Sequence, residues 1–436
     1  MCHNQAVSEP TNRRSDPSDP GPDRPLRIVI ISDWFSEKMG YSENCLPKAL
    51  ASLGHEVHVI TTDAQVYFDS PEYAETYAPF LGPPLVPTGV ETLDGYTLHR
   101  LPHRRWRGRL RIGGLYAKLK ALRPDVVQVY EVGNLSTLEA SLAQLRLRYK
   151  LFLESHVHAS VVAGDWRAAS RKRRLRREAY RRTMGAFISW RAQRCFPISD
   201  DAAEIAVGLY GIAQSKIEVC SLGVDTELFR PVQSPEDLSI RRELRARLGY
   251  DDASVVCIYT GRFSPSKGPQ VLADAIARLV NAGEPFRGLF VGGGTAAETA
   301  ALRGAAGCTV VPFVPVRDLT PYYWAADIGV WPRQESTSQL DAAACGLPII
   351  LSDRITVLER VAGNGLTYRE GDDVDLAERI RVLAPAETRQ PLGSAGSRKM
   401  RENFSWLHIA RRRAADYARA VGVLKRPKGA GPTSHN

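Results

Sequence analysis

Two cations held inside a glycine-bounded loop, Gly261-Arg262-Phe263-Ser264-Pro265-Ser266-Lys267-Gly268, offer the most specific chemistry in this sequence. The loop follows the apolar run 254–260 and opens a helical segment at 269–280. A strand end leading into a helix start presents free backbone N–H groups and the positive end of the helix dipole. A planar guanidinium fork and an ammonium point charge added there make a clamp suited to a diphosphate. The plainer reading is two exposed surface cations. A second constellation lies in 331–346, Trp-Pro-Arg-Gln-Glu-Ser-Thr-Ser-Gln-Leu-Asp-Ala-Ala-Ala-Cys-Gly, which runs from a strand end into a small-residue helix. The carboxylates of Glu335 and Asp341 can accept hydrogen bonds from sugar and ribose hydroxyls. Ser336 and Thr337 lie between them and join the same candidate ligand-binding set. Asp341 could equally serve only the helix N-terminus.

Weaker signals lie elsewhere. Gly292 to Ala297 spells Gly-x-Gly-x-x-Ala after a strand, formally the dinucleotide fingerprint. The next strand, 309–311, has no acid at its end to hold a ribose, so a close backbone turn near phosphate or a plain tight turn are the competing readings. Gly40 occupies the first strand-to-helix loop. His156 and His158 follow another strand. With no third ligand nearby, no metal site is expected; His156 is a cleft candidate and His158 a structural histidine.

These groups need a scaffold, and the apolar patterning supplies one. The run 26–32 is a buried parallel strand by its β-branched composition. A helical segment at 44–53 ends at Gly54, and 55–61 returns as a second strand. Similar runs recur at 125–130, 151–155, 195–198 and 217–221, and a second series begins at 254–260, then 288–291, 309–311, 328–331 and 348–352. Strands alternating with helices imply parallel sheets covered on both faces. An α/β chain of 436 residues exceeds a single core, so the expected organisation is two Rossmann-like domains facing a central cleft. The expected boundaries are a tail at 1–25, an N-terminal domain at 26–228, a C-terminal domain at 229–405, a helix at 406–421 packing back on the N-terminal domain, and a tail at 422–436.

Composition narrows the class. Apolar residues make up 44% and charged residues 24%, values of a globular protein with no run long enough to span a membrane. Seven scattered cysteines, none in a Cys-x-x-Cys pair, argue against a disulfide framework and for a reducing, cytoplasmic setting. The net charge of +10 is concentrated: 167–194 holds eleven Lys and Arg against one acid, Glu178. Tyr180, Met184, Phe187 and Ile188 fall on one helical face beside those arginines, so this segment either meets an anionic membrane surface or packs its apolar face on the N-terminal domain. It has no recognisable nucleic-acid reading module, and no nucleic-acid partner is expected.

In combination and order, 261–268, Ser199-Asp200-Asp201, Leu222-Gly223-Val224-Asp225 with Phe229 and Pro231, 342–348, and Asn364-Gly365 with Gly371-Asp372 resemble the retaining glycosyltransferases of family 4. The resemblance implies the two-domain GT-B fold and transfer of a sugar from a nucleotide-diphosphate sugar, with no other cofactor and no metal. It places Arg262 and Lys267 on the donor diphosphate, Asp341 on the ribose, Glu335 on the donor sugar, His156 near the transferred sugar, and Phe313 and Val314 around the base. Gly40 and Gly292 complete the donor set. The acceptor, whether lipid-linked, saccharide or small molecule, is not implied. Two departures stand out: the paired acids are six positions apart where the family usually has eight, and the usual Gly-Gly of the first loop is Gly40-Tyr41.

Overall fold

The computed structural model describes residues 24–158 and 170–423. Of the expected tails at 1–25 and 422–436, residues 1–23 and 424–436 lie outside the described residues, as do residues 167–169 of the basic segment.

The N-terminal half is built on β1 (Arg27–Ile31), whose Ile28, Val29, Ile30 and Ile31 are wholly buried because both faces of the sheet are covered. The helix Ser42–Ser52 crosses over it and stops at Gly54, which turns the chain at φ +86°, a conformation that side chains with a Cβ avoid. The chain returns as β2 (Glu56–Thr62), parallel to β1. The remaining strands are β3 (Gly89–Leu93), β4 (Tyr96–Leu101), β5 (His103–Trp106), β6 (Arg109–Ile112), β7 (Val126–Tyr130), β8 (Lys150–Ser155) and β9 (Ala192–Pro197). Seven of them form one sheet in the order β3-β4-β2-β1-β7-β8-β9, with only β3 antiparallel; β5 and β6 form a separate hairpin.

The second half repeats the plan with β10 (Val255–Arg262), β11 (Phe286–Gly293), β12 (Cys308–Val311), β13 (Ile328–Trp331), β14 (Ile349–Ser352) and β15 (Gly365–Tyr368). Their order is β12-β11-β10-β13-β14-β15, all parallel, around an independent apolar core. In both sheets the first strand lies between two parallel neighbours, and the strand order proceeds outward from it to both sides. That is the switch point at which α/β sheets open a ligand crevice.

Three local expectations are corrected. The run 217–221 forms no strand; only an isolated bridge joins Ile217 to Cys195, because the sheet already ends at β9. The strands β3, β4 and β15 and the β5–β6 hairpin are too polar or too short to show in an apolar-run reading. The basic segment is not one helix. It divides into Arg171–Tyr180, a π-helical turn Arg181–Gly185 and Ala186–Arg191, while Arg194 belongs to β9. Gly185 lies so close to the Tyr210 carbonyl that a Cβ would sit 2.1 Å from its oxygen. Ile188 is in the N-terminal core and Tyr180 meets Tyr210 edge-on, so this apolar face packs on the fold.

The halves are joined by two crossing segments that pair with each other: Val224 donates to the Phe404 carbonyl, and Trp406 donates to that of Val224. After the second crossing, the helix Trp406–Val421 lies against Ser42–Ser52 and fills one face of the N-terminal core. Its Arg413 and Glu154 of β8 form a wholly buried ion pair at 3.3 Å. Arg413 also stacks over the Phe196 ring, and Gln128 donates to the other Glu154 oxygen while accepting from the Tyr417 hydroxyl. Removing one partner of a buried pair leaves an uncompensated charge and costs about 3–5 kcal/mol. Arg413→Met is therefore expected to lower unfolding free energy by that amount in urea titrations. Adding Glu154→Gln should recover most of the loss.

Candidate active site

The C-terminal ends of the central strands β1 and β10 face each other across a cavity of about 440 Å³ lined from both halves. One wall is cationic. Arg262 ends β10, and Gly268, at φ +65°, turns the chain into the helix Pro269–Asn281 with proline at its first position. Lys267 Nζ donates to the Glu335 carbonyl at 2.7 Å. Burial lowers the Lys267 ammonium to about 8, with Arg262 and Arg360 adding to the shift and Glu335 opposing it. Arg262 Nη1 donates to the Tyr77 hydroxyl of the other half at 3.3 Å. Arg360 was not anticipated from the sequence. It is buried, lines the same wall, and donates to the Ser336 carbonyl and Gln339 Oε1, each at 3.1 Å. Its only sequence signal is the pair Glu359-Arg360 inside the otherwise apolar stretch 357–362.

The two C-terminal acids have unequal surroundings. Glu335 Oε1 accepts from both the backbone N–H and the hydroxyl of Thr356 at 3.0 Å. Burial pushes this carboxyl up, but the Thr356 bonds outweigh it and hold the group below its ordinary value. The preceding Gln334 sits at φ +36°, bending a short loop. Asp341, in the first turn of the helix Ser338–Ala344, is lifted well above the usual carboxylate range by burial, then by the charge of Asp225. Ser336, Thr337, Phe313 and Val314 line the same cavity. The Phe313 ring meets Tyr77 and Phe80, which reach across from the N-terminal half, at 6.4 and 5.5 Å between centroids.

Glycine placements differ. Gly40 lines the cleft at φ +62°, and a Cβ there would lie 2.6 Å from Val316 of the opposite half, so only glycine allows this approach. Gly292 is not among the lining residues. A Cβ on it would stand 1.8 Å from the Gly261 carbonyl oxygen, so its smallness serves the pairing of β10 with β11. The following helix start is already capped: Thr295 and Glu298 bond reciprocally, and the Ala296 N–H donates to Glu75 of the N-terminal half. The fingerprint-like sequence therefore leaves those amides engaged.

The opposite wall is acidic. Its Asp33 follows β1, Glu43 opens the helix Ser42–Ser52, Glu131 follows β7, and Tyr130 and His156 lie between them. Burial raises Asp33 to about 7, opposed by Ser136 and reinforced by Glu139 and Glu131. Burial also raises Glu43 to about 7 and raises Glu131. His156 Nε2 stands 3.4 Å from Glu154 Oε1. Burial opposes its protonation, but Glu154, then Glu131 and Glu43, outweigh that and raise the imidazole above its usual value. His158 turns instead to Asp201 at 3.2 Å and the Ser199 hydroxyl at 3.4 Å. The acids of this wall were missed in the sequence, although two stand directly after buried strand runs, as Ile31-Ser32-Asp33 and Tyr130-Glu131.

Comparison with known proteins bears on this cleft. Residues 46–228 match the model described as Glycosyltransferase Family 4, and 254–384 match that of Glycosyl transferases group 1. The D-inositol 3-phosphate glycosyltransferase of Rhodococcus erythropolis is 31% identical over 250 residues, covering 53% of this chain and 54% of its own. Spore coat protein SA of Bacillus subtilis is 26% identical over 232 residues, covering 49% and 61%. The matched stretch is thus about half the length of these relatives. Among solved structures, sucrose-phosphate synthase from Thermosynechococcus elongatus superposes with a TM-score of 0.65 at 21% identity, covering 91% of this chain and 99% of its own. HepE of Anabaena in complex with UDP gives 0.64 at 17% identity, covering 89% and 99%. The fold is GT-B.

An ammonium lowered to about 8 loses its charge within an accessible pH range. The affinity of the cationic wall for inorganic pyrophosphate should therefore fall above pH 8, by up to about tenfold per pH unit. Lys267→Arg should flatten that fall in calorimetric titrations, since guanidinium stays charged.

Proposed function

The chain belongs to the family 4 glycosyltransferases, and on that footing we propose that it moves a sugar from a nucleotide-diphosphate sugar to an acceptor hydroxyl, with retention of configuration and without a metal ion. The observation that carries this reading is the convergence of Arg262, Lys267 and Arg360 on one wall of a closed cleft, opposite His156. The bond between the anomeric carbon and the phosphate oxygen breaks, and its electron pair leaves with the diphosphate. An acceptor oxygen bonds to that carbon from the same face, and its proton passes to the departing phosphate. Charge growing on the leaving group is met by fixed cations in a poorly solvated site, where such interactions are strong. This supports a reaction that needs no metal. The structural neighbour HepE, in complex with UDP and with UDP-glucose, supports a nucleotide-sugar donor.

Within this reading Arg262 and Lys267 take the diphosphate, Asp341 the ribose, and Phe313 with Val314 the base. Glu335 faces the donor sugar with one oxygen already held by Thr356. His156, biased toward its charged form, lies beside the transferred sugar from the other half. The relatives' name offers one acceptor chemistry, a phosphorylated cyclitol.

No helix among the described residues is long and apolar enough to cross a membrane. The exposed Lys172, Arg173, Arg174 and Arg176, with exposed Leu175 and Trp190, are the surface we propose for contact with an anionic bilayer at its inner face. Flotation with anionic but not neutral vesicles, reversed by salt, is the expected behaviour; equal recovery with both removes this contact.

Donor hydrolysis across a panel of UDP-, GDP- and ADP-sugars tests the central reading, with turnover expected for one nucleotide class. Losing one charge-assisted contact costs about 1.5–3 kcal/mol. Lys267→Ala should therefore lower turnover at saturating donor roughly ten- to a hundredfold. Arg262→Lys should not restore full rate, because the fork geometry is lost. Asp341→Asn should weaken free nucleotide, whereas Glu335→Gln should spare it and slow transfer. Folded mutants that bind and turn over as wild type would remove the donor-site assignment.

A further inference from the structure

The acceptor side of the cleft carries more negative charge than sugar transfer requires. Asp33, Glu43 and Glu131 line it, and the only N-terminal lysine or arginine among the described lining residues, Lys38, is engaged with Phe80: its Nζ donates to the Phe80 carbonyl at 2.7 Å and lies over the Phe80 ring. The charges facing these acids are His156 and Glu154 for Glu43; His156, His158 and Glu154 for Glu131; and Glu131 and Glu139 for Asp33, Glu139 being paired with Arg111. The local balance stays acidic.

Two buried polar groups beside these acids have no hydrogen-bond partner. Asp33 is 4% exposed and its Oδ1 is unpaired; Tyr130 is also 4% exposed and its hydroxyl is unpaired. Both line the cavity. Buried polar atoms ordinarily find partners, so such groups at the edge of a cleft await a ligand that brings them. Among the described residues no group of three His, Cys, Asp or Glu side chains could hold a metal ion. Above pH 7, where Asp33 and Glu43 ionise, a phosphate here would meet their negative charge. Hydroxyls could donate to the unpaired oxygens but would leave the charge unanswered. An ammonium group supplies both donors and charge.

Building on the glycosyl-transfer reading, we propose that the acceptor is a small polyol bearing at least one ammonium group, held by Asp33, Glu43 and Glu131 while one of its hydroxyls receives the sugar. Recognition by charge-assisted hydrogen bonds favours this acceptor over a neutral or phosphorylated polyol of the same shape.

Calorimetric titration of the full chain at pH 8 with myo-inositol, an aminodeoxy-inositol and an inositol monophosphate tests this without relying on turnover. The amine is expected to bind at least tenfold more tightly than the neutral cyclitol, and the phosphate most weakly. Asp33→Asn and Glu43→Gln, made separately because either buried site could disturb folding, should each remove most of the preference. Three alike affinities, a preference for the phosphate, or a preference that survives in both folded variants overturns the proposal. Donor hydrolysis by wild type is read in parallel. An amine preference without hydrolysis keeps the ammonium site and removes the transfer reading, whereas hydrolysis without the preference removes the site alone.

Discussion

A guanidinium sealed beneath the N-terminal sheet constrains much of this molecule. Arg413 and Glu154 are both almost wholly inaccessible, and neither could remain charged there without the other. Burial alone would drive the Glu154 carboxyl up; Arg413 and His156, both at its Oε1, hold it below its ordinary value. A lasting negative charge under the cleft floor in turn biases His156 toward its protonated form. The interaction also has a topological consequence. Arg413 lies beyond the second crossing between the halves, so the N-terminal core is completed only after the C-terminal sheet has been built.

The cleft depends on the separation of charge between its walls. Basic groups gather on the C-terminal side and acidic groups on the N-terminal side, and burial pushes both toward their neutral forms, lowering Lys267 to about 8 and raising Asp33 to about 7. The walls are held together by specific bridges. Gly40 meets Val316, Tyr77 meets Arg262, and Glu75 caps the helix that begins at Ala296. Each joins an N-terminal loop to the donor-side wall, so cleft geometry and interdomain approach are set together.

The short spacing of Glu335 and Asp341 has a local structural counterpart. With fewer residues between strand end and helix, the loop bends through Gln334 in the left-handed region, and its carbonyls turn toward cations. Lys267 takes the Glu335 carbonyl and Arg360 that of Ser336, while Thr356 secures one Glu335 carboxylate oxygen. The acid is thus part of a braced loop, whereas Asp341 stands on a helix whose small residues pack closely beneath it.

Much of this architecture was legible without coordinates, because it rests on local patterning. Runs such as 28–31 and 256–260 must be buried on two faces, and their alternation with helices implies parallel sheets. The loop from Arg262 to Lys267 declared its chemistry through residue type and spacing. What the order of residues left open was decided by contacts between distant parts of the chain. Gly292 had two plausible uses until β10 lay beside it, and the face of Tyr180 and Ile188 could have met lipid until Tyr210 and the N-terminal core covered it. The strand β3 is exposed along most of its length, and β4 and β15 mix polar residues with their buried ones, so none of the three shows as an apolar run. The acidic wall is the clearest case. Asp33, Glu43 and Glu131 are far apart in sequence, and each alone reads as an ordinary solvated acid. Only folding brings them to one cavity and strips their water, and charge in a protein takes its meaning from that surrounding dielectric and its neighbours.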